Sequence, residues 1–484
     1  MKKVGFYLVS IVSLTVLVQS CHIDREPIRI EGPGGSSGFP KAEVGESSDF
    51  VQGERQDSVV QIAGSPENGI SASGAGGSTR TNPQQGGAGG VAEKKDAGRD
   101  YAGRDSRSDA EAKVDTGLDT VIPERPKTTG PIAYGDWDYY EVEGAICRDG
   151  SPAGYYLRKG TSKNLMIFLN GGGACYDSFF CNTNPANVDQ SLDGETLMDA
   201  TWETFTRATI PSRQQPPDEG ILQKVPGNPV MSWNMVFVPY CTGDVYAGTT
   251  PDARVVTALL MPEQQFLGYS NLGLFYRSFG PDFMDSEKIL LAGSSAGGFG
   301  VVLNFIRTQA FFNKSILYFI TDSAIPFRDQ YQPACLQQRW RELWGINQIL
   351  PSDCASCFNA DGGGLYELTT YLIAKNAERV LGGAISSVQD EVMKLFYSAG
   401  LNNCTGSALT NMLSYPITRY PLALQDYLDN VINKNNVASY IVSGSTHQHL
   451  FRTRFYQDNG VGMTIAEWVG EILANRAPQI GRVY

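Results

Sequence analysis

Beyond residue 130, hydrophobic positions fall into short continuous runs, separated by turn residues and by stretches with a 3.6-residue apolar period. Leu165–Leu169 (LMIFL), Met235–Val238 (MVFV), Lys288–Ala292 (KILLA), Ile316–Ile320 (ILYFI) and Ala438–Val442 (ASYIV) are too short for buried helices and lack alternation. Such runs predict strands covered on both faces. A weaker, glycine-interrupted strand is expected at Val380–Ile385 (VLGGAI). Helical patterns intervene, as in Val301–Arg307 and around Leu422–Val431. The alternation predicts an α/β domain, a mostly parallel sheet flanked by helices, over residues 131–484. Ligands in such sheets sit beyond the carboxyl ends of the strands, so the turns after these runs are where chemistry is sought.

The pattern is missing before Pro131. Between Cys21 and Gly130 the only aromatic rings are Phe39, Phe50 and Tyr101, and Ser71–Gly90 reads SASGAGGSTRTNPQQGGAGG. Too little apolar surface is present to offset chain entropy, which predicts a disordered tether over residues 21–130. Residues 1–20 carry Lys2 and Lys3, an apolar run Val4–Val18 and Ser20 before Cys21. That is the layout of a cleaved export signal, too short to span a bilayer comfortably. Leu17-Val18-Gln19-Ser20-Cys21 resembles a bacterial lipobox, which implies an acylated Cys21 as lipid anchor. The expected location is the cell envelope, most simply the outer membrane, or the medium.

The formal charge of −12 and the pI near 4.9 disfavour a nucleic-acid partner. Nine cysteines are present, and assigning Cys21 to lipid leaves an even set: Cys147, Cys175, Cys181, Cys241, Cys335, Cys354, Cys357 and Cys404. In an oxidising compartment an even set reads as disulfides.

After the Lys288 run comes Gly293-Ser294-Ser295-Ala296-Gly297, followed by an apolar helical stretch. This G-x-S-x-G frame is a sharp strand-turn-helix whose small flanking residues accommodate a strained serine, making Ser295 the candidate nucleophile. A serine needs a base, normally histidine. The chain has His22, beside the expected anchor, and His447 and His449, which follow the last strand candidate. The base is therefore His447 or His449, and the other is structural. An orienting acid is expected between serine and histidine in the chain. Asp390 fits, because it follows the Val380–Ile385 strand; Asp426 and Asp429 lie on an amphipathic helix, and Asp322 is better suited to supporting the site. The oxyanion of acyl transfer needs backbone N–H donors. Ala296 supplies one, and the run Asn170-Gly171-Gly172-Gly173-Ala174-Cys175 can supply others, since no G-K-[ST] makes it a phosphate cradle. Neither a metal nor a cofactor is called for.

These residues resemble the pectin acetylesterase family and its animal relative Notum, carboxylesterases of the α/β-hydrolase type. The resemblance rests on Phe168–Cys175 (FLNGGGAC), Val238–Val245 (VPYCTGDV), Leu290–Gly298 (LLAGSSAGG), Thr321-Asp322-Ser323, Gln389–Val392 (QDEV) and Tyr440–His447 (YIVSGSTH). It implies Ser295 as nucleophile, Asp390 as acid, His447 as base, and Gly172, Gly173 and Ala296 as oxyanion donors. It also implies Cys147–Cys241 and Cys175–Cys181 bridges and leaves the other four cysteines open. Gly173 stands where Notum has tryptophan, which implies a short acyl group rather than a lipid. The expected substrate is an acetyl ester on a pectin-like polysaccharide, hydrolysed by a monomer that meets the membrane only through its anchor. A deacylase of lipid or lipidated substrates is the alternative within the same chemistry. A catalytically inactive carbohydrate-binding lipoprotein, and a short-chain dehydrogenase using Tyr371 and Lys375, are the alternatives from other classes.

Overall fold

The computed structural model describes residues 124–183, 215–255, 263–359, 363–432 and 436–483. The expected leader, Cys21 and residues 21–123 of the expected tether lie outside the described residues. Near the start of the described residues, the guanidinium of Arg125 donates to Ser278 O at 2.7 Å.

The apolar runs form the middle of a ten-stranded sheet. Its strands are β1 (Ile132–Tyr134), β2 (Trp137–Ile146), β3 (Pro152–Arg158), β4 (Leu165–Leu169), β5 (Asn234–Val238), β8 (Lys288–Ser294), β9 (Ile316–Asp322), β10 (Gly382–Ser387), β11 (Val437–Val442) and β12 (Gln479–Ile480). A separate pair, β6 (Thr250–Ala253) and β7 (Gln264–Phe266), makes a small second sheet. The order across the large sheet is β1-β2-β3-β5-β4-β8-β9-β10-β11-β12. From β5 to β12 every pairing is parallel, whereas β1, β2 and β3 join antiparallel at one edge. The mostly parallel α/β sheet expected from the pattern is thus present, extended by an antiparallel edge. Within that antiparallel end, β2 mixes buried with half-buried and exposed positions, the signature of a strand with one wet face rather than a continuous apolar run.

Both faces of the central strands are covered. Leu165, Ile167, Leu169, Ile289, Leu291, Leu317 and Phe319 point into one core layer; Met166, Phe168, Leu290, Ala292, Tyr318 and Ile320 point into the other. The period of two explains why these strands read as unbroken hydrophobic runs. Helices of eight or more residues are α1 (Gly268–Phe279), α2 (Ala296–Phe311), α3 (Ala334–Trp344), α4 (Gly363–Lys375), α5 (Glu391–Ser398), α6 (Arg419–Tyr427) and α7 (Ile465–Leu473). Helices α1 to α6 contribute to the first layer, and α7 closes the second with Trp468, Val469 and Ile472. The glycines in β10 make this packing possible, because a Cβ on Gly383 would fall 2.4 Å from the Trp468 ring. Among the described residues no helix is long and apolar enough to cross a membrane.

All eight domain cysteines are paired. Cys147–Cys241 and Cys175–Cys181 match the pairs implied by the resemblance, and the other two bridges are Cys335–Cys404 and Cys354–Cys357.

Candidate active site

Ser295 stands between β8 and α2 at φ 54°, ψ −123°, a region L-residues enter only when the surroundings enforce it. The enforcement is visible in its neighbours. A Cβ on Gly297 would lie 1.9 Å from Leu169 O, and one on Gly293 would lie 2.4 Å from Gly297 O, so only glycine lets the turn close this tightly. Ser295 N donates to Asp322 O at 2.8 Å, fastening the turn to the end of β9.

The acid and histidine loops follow β10 and β11 at the same edge of the sheet. His447 Nδ1 lies 3.0 and 2.9 Å from Asp390 Oδ1 and Oδ2. A carboxylate only accepts, so Nδ1 carries the proton and Nε2 of the neutral ring is left as a base. Three backbone bonds tie the loops together, from Val388 N to Val442 O, Gln389 N to Gly444 O and Glu391 N to Ser445 O. Burial alone pulls the His447 imidazole down, but the charge and hydrogen bond of Asp390, with Asp322 beyond, leave it raised above its ordinary value.

His449 has a different environment. It is fully buried, its Nε2 lies 3.1 Å from Ser387 Oγ, and among the described residues its Nδ1 has no partner. Burial lowers its pKa, and the structure brings His447 rather than His449 to Asp390. The rival acids are engaged elsewhere: Asp426 pairs with Arg328 at 3.3 Å and Asp429 accepts from Gln425 at 2.9 Å. Tyr371 and Lys375, the dehydrogenase-like pair, both bind Asp353 at an exposed position.

Asp322 supports the site, as its position suggested. Its Oδ2 accepts from Ser294 Oγ (2.7 Å), His449 N (2.7 Å) and Leu450 N (3.0 Å), joining the serine turn to the histidine loop.

Ala296 opens α2, with its N–H at the positive end of a 16-residue helix. The glycine loop turns back through Gly172 (φ 152°) and Gly173 (φ 77°). It is held by Asn170 N to Val238 O and Cys175 N to Gly243 O, and the Cys175–Cys181 bridge follows at once. Asp244 is the buried centre of the adjoining loop, accepting from Thr242 Oγ1, Tyr246 N and Gly268 N; burial raises its pKa.

A small pocket, open at its mouth, begins at Ser295, Ala296 and Gly173. Its walls are Phe299 of α2, Trp340 and Trp344 of α3, Leu365 of α4, and Met393, Phe396 and Tyr397 of α5. The two tryptophans stack at 5.7 Å, and Trp344 Nε1 donates to Cys175 O at 3.0 Å. Gly173 borders this pocket but does not set its depth; the aromatic walls come from helices far away in the sequence. Only the i, i+4 spacing of Trp340 and Trp344 on an amphipathic helix hinted at them.

A strained serine between strand and helix, with a histidine–carboxylate pair on later loops of the same sheet edge, is the arrangement of the α/β-hydrolase class. Within it, residues 138–480 match the family model described as pectinacetylesterase, and the chain belongs to that family. It is similar to the palmitoleoyl-protein carboxylesterases notum1a of Danio rerio (34% identity over 172 residues, 34% of this chain and 30% of that protein) and notum2 of Xenopus laevis (31% over 234 residues, 44% and 43%). The chain thus spans less than half the length of these curated relatives. A crystal structure of the Wnt deacylase Notum from Drosophila shares the fold, with a TM-score of 0.50 at 22% identity, covering 74% of this chain and 96% of that one.

Proposed function

We propose that the protein is a serine carboxylesterase in which Ser295, His447 and Asp390 act as a triad. The observation that carries this reading is the Asp390–His447 pair on a loop that Asp322 fastens to the strained turn of Ser295. His447 Nε2 takes the Ser295 proton as Oγ attacks the ester carbonyl, and the oxyanion is received by the N–H groups of Gly172, Gly173 and Ala296. The C–O bond to the alcohol then breaks as His447 returns the proton to the departing oxygen. Water, activated by the same ring, releases the acid and restores Ser295.

The wall of aromatic and aliphatic side chains beside Ser295 favours an acyl group with hydrocarbon to bury. The family description favours the other reading, an acetyl ester on a polysaccharide. The expected lipobox and the four disulfides support an exported enzyme anchored through Cys21. A series of p-nitrophenyl esters from acetate to octanoate, run beside acetate release from acetylated pectin and xylan, tests the proposal. An optimum at butyrate or longer favours the apolar-acyl reading, a steep fall from acetate favours the polysaccharide acetylesterase, and activity that survives Ser295→Ala removes the mechanism.

A further inference from the structure

Gln448, between the two histidines, is unexplained by the triad. The residue as a whole is 7% exposed, and among the described residues the hydrogen bond it makes is from its backbone N–H, while its carboxamide atoms are not among the buried atoms without a partner, so the amide stays accessible to a ligand. Its backbone is held at φ 65° by the bond from Gln448 N to Ser323 Oγ (2.9 Å), and Ser323 is itself at φ 55°. Two adjoining non-glycine residues in the left-handed region store strain that the fold retains around a site. The side chain this produces is aimed at the nucleophile. A Cβ on Gly171 would fall 2.8 Å from Gln448 Nε2 and 3.0 Å from Ser295 Cβ, so carboxamide and serine flank the same corner, kept open by glycine.

This corner is not the acyl pocket. The pocket's lining runs through Gly173, Ala296 and the aromatic walls and includes neither Gly171 nor Gln448. An ester bound across Ser295 has two halves, and with the acyl half in the apolar pocket the alcohol half lies toward the other side, where His447 delivers the proton to it. An amide turned into this corner offers both a donor and an acceptor to whatever binds there. A hydroxyl group satisfies both.

We infer that Gln448 is a substrate-binding residue that hydrogen-bonds a hydroxyl of the departing alcohol, and that the enzyme prefers esters of polyhydroxylated alcohols, sugars or polyols, over esters of apolar alcohols. This rests on the esterase reading. The substitution Gln448→Met keeps the length of the side chain and removes its polar atoms. With the butanoyl group held constant, kcat/KM is compared for glyceryl monobutyrate and p-nitrophenyl butyrate. Gln448→Met is expected to lower the ratio of the glyceryl to the nitrophenyl value roughly tenfold, mainly through KM, the size of one lost hydrogen bond. An unchanged ratio, whether both esters slow equally or neither does, overturns the inference, because an amide that serves the oxyanion or only braces the loop affects both esters alike.

A second arm needs no turnover. In the Ser295→Ala protein, calorimetric binding of glyceryl monobutyrate is expected to weaken roughly tenfold on adding Gln448→Met, and equal affinity overturns the inference. If the native protein hydrolyses neither ester, the esterase reading fails, and the binding arm still decides the role of Gln448.

Discussion

Asp390 serves His447 and the first turn of α5 at once: while both its oxygens face His447 Nδ1, its Oδ1 also accepts from Met393 N at 2.9 Å. The carboxylate is fully buried and fixed from two directions. Asp390→Asn keeps the shape but offers an amide that fits the imidazole in the wrong tautomer. A loss of kcat on the order of 10⁴-fold is expected, as for other triads whose acid is amidated. Asp429→Asn, on an exposed helix end, is expected to stay near the native rate. A reversed order in steady-state assays would move the acid to Asp429.

The same pair bears on the pH profile. With neutral His447 as the base of the proposed triad, kcat/KM is expected to rise with pH as the ring deprotonates. Because Asp390 and Asp322 outweigh burial and raise the ring above 6.5, the acid limb is expected above that value. Asp390→Asn removes the largest raising influence, so the residual activity should have its acid limb at lower pH. A limb that stays in place would mean that another group titrates.

The two histidines separate by readout. His447→Ala is expected to match Ser295→Ala in abolishing ester hydrolysis with little change in melting temperature, since the members of a triad act as a unit. His449→Ala empties a fully buried position and should lower the melting temperature while retaining measurable turnover. The opposite pattern would exchange their roles.

Disulfides divide by the length of chain they close. Cys147–Cys241 and Cys335–Cys404 are separated by 94 and 69 residues, and Cys175–Cys181 by 6. Loop entropy puts the first two at about 4–5 kcal/mol each and the last at about 2 kcal/mol. Paired Cys→Ser variants unfolded in denaturant should follow that order. Removing Cys175–Cys181 should cost more in kcat than in stability, because it loosens the glycine loop. Mass spectrometry of the unreduced protein should find the four linked pairs and no free thiol in residues 131–484; two or more alkylated cysteines there would contradict the pairing.

Acyl length should follow the pocket walls. Phe396→Ala enlarges the pocket and is expected to move the preferred p-nitrophenyl ester toward longer chains, whereas Leu365→Phe fills it and should move the preference toward acetate. If both variants keep the native chain-length profile, the acyl group does not enter this pocket.

The sequence disclosed the parts of this protein that are local. Strands β4, β5, β8, β9 and β11 are buried on both faces and read as apolar runs; β2 has one half-wet face, and β3, though buried after its first residue, opens on Pro152-Ala153-Gly154 and ends on Arg158, so both escape that pattern. Ser295 was legible because its strained turn is made by its own glycine neighbours. Asp390 was legible only as one of several carboxylates, since what singles it out is a histidine 57 residues later. The acyl pocket was not legible, because its walls come from α2, α3, α4 and α5 and meet only in the folded chain. Gln448 was not legible, for nothing in the local sequence marks an amide turned toward the nucleophile.

The shared footing of Asp390 and α5 divides the pocket into two kinds of wall. Met393, Phe396 and Tyr397 ride on the helix that the acid caps, so a change there that shifts the helix start also shifts the carboxylate. Trp340, Trp344 and Leu365 stand on α3 and α4, with no hydrogen bond to the acid or the histidine loop. Substrate range can therefore drift through α3 and α4 while proton transfer is preserved, whereas α5 is held to a narrow set of sequences by its double attachment. A lineage adapting this fold to new esters has an open route on one side of the pocket and a restricted one on the other.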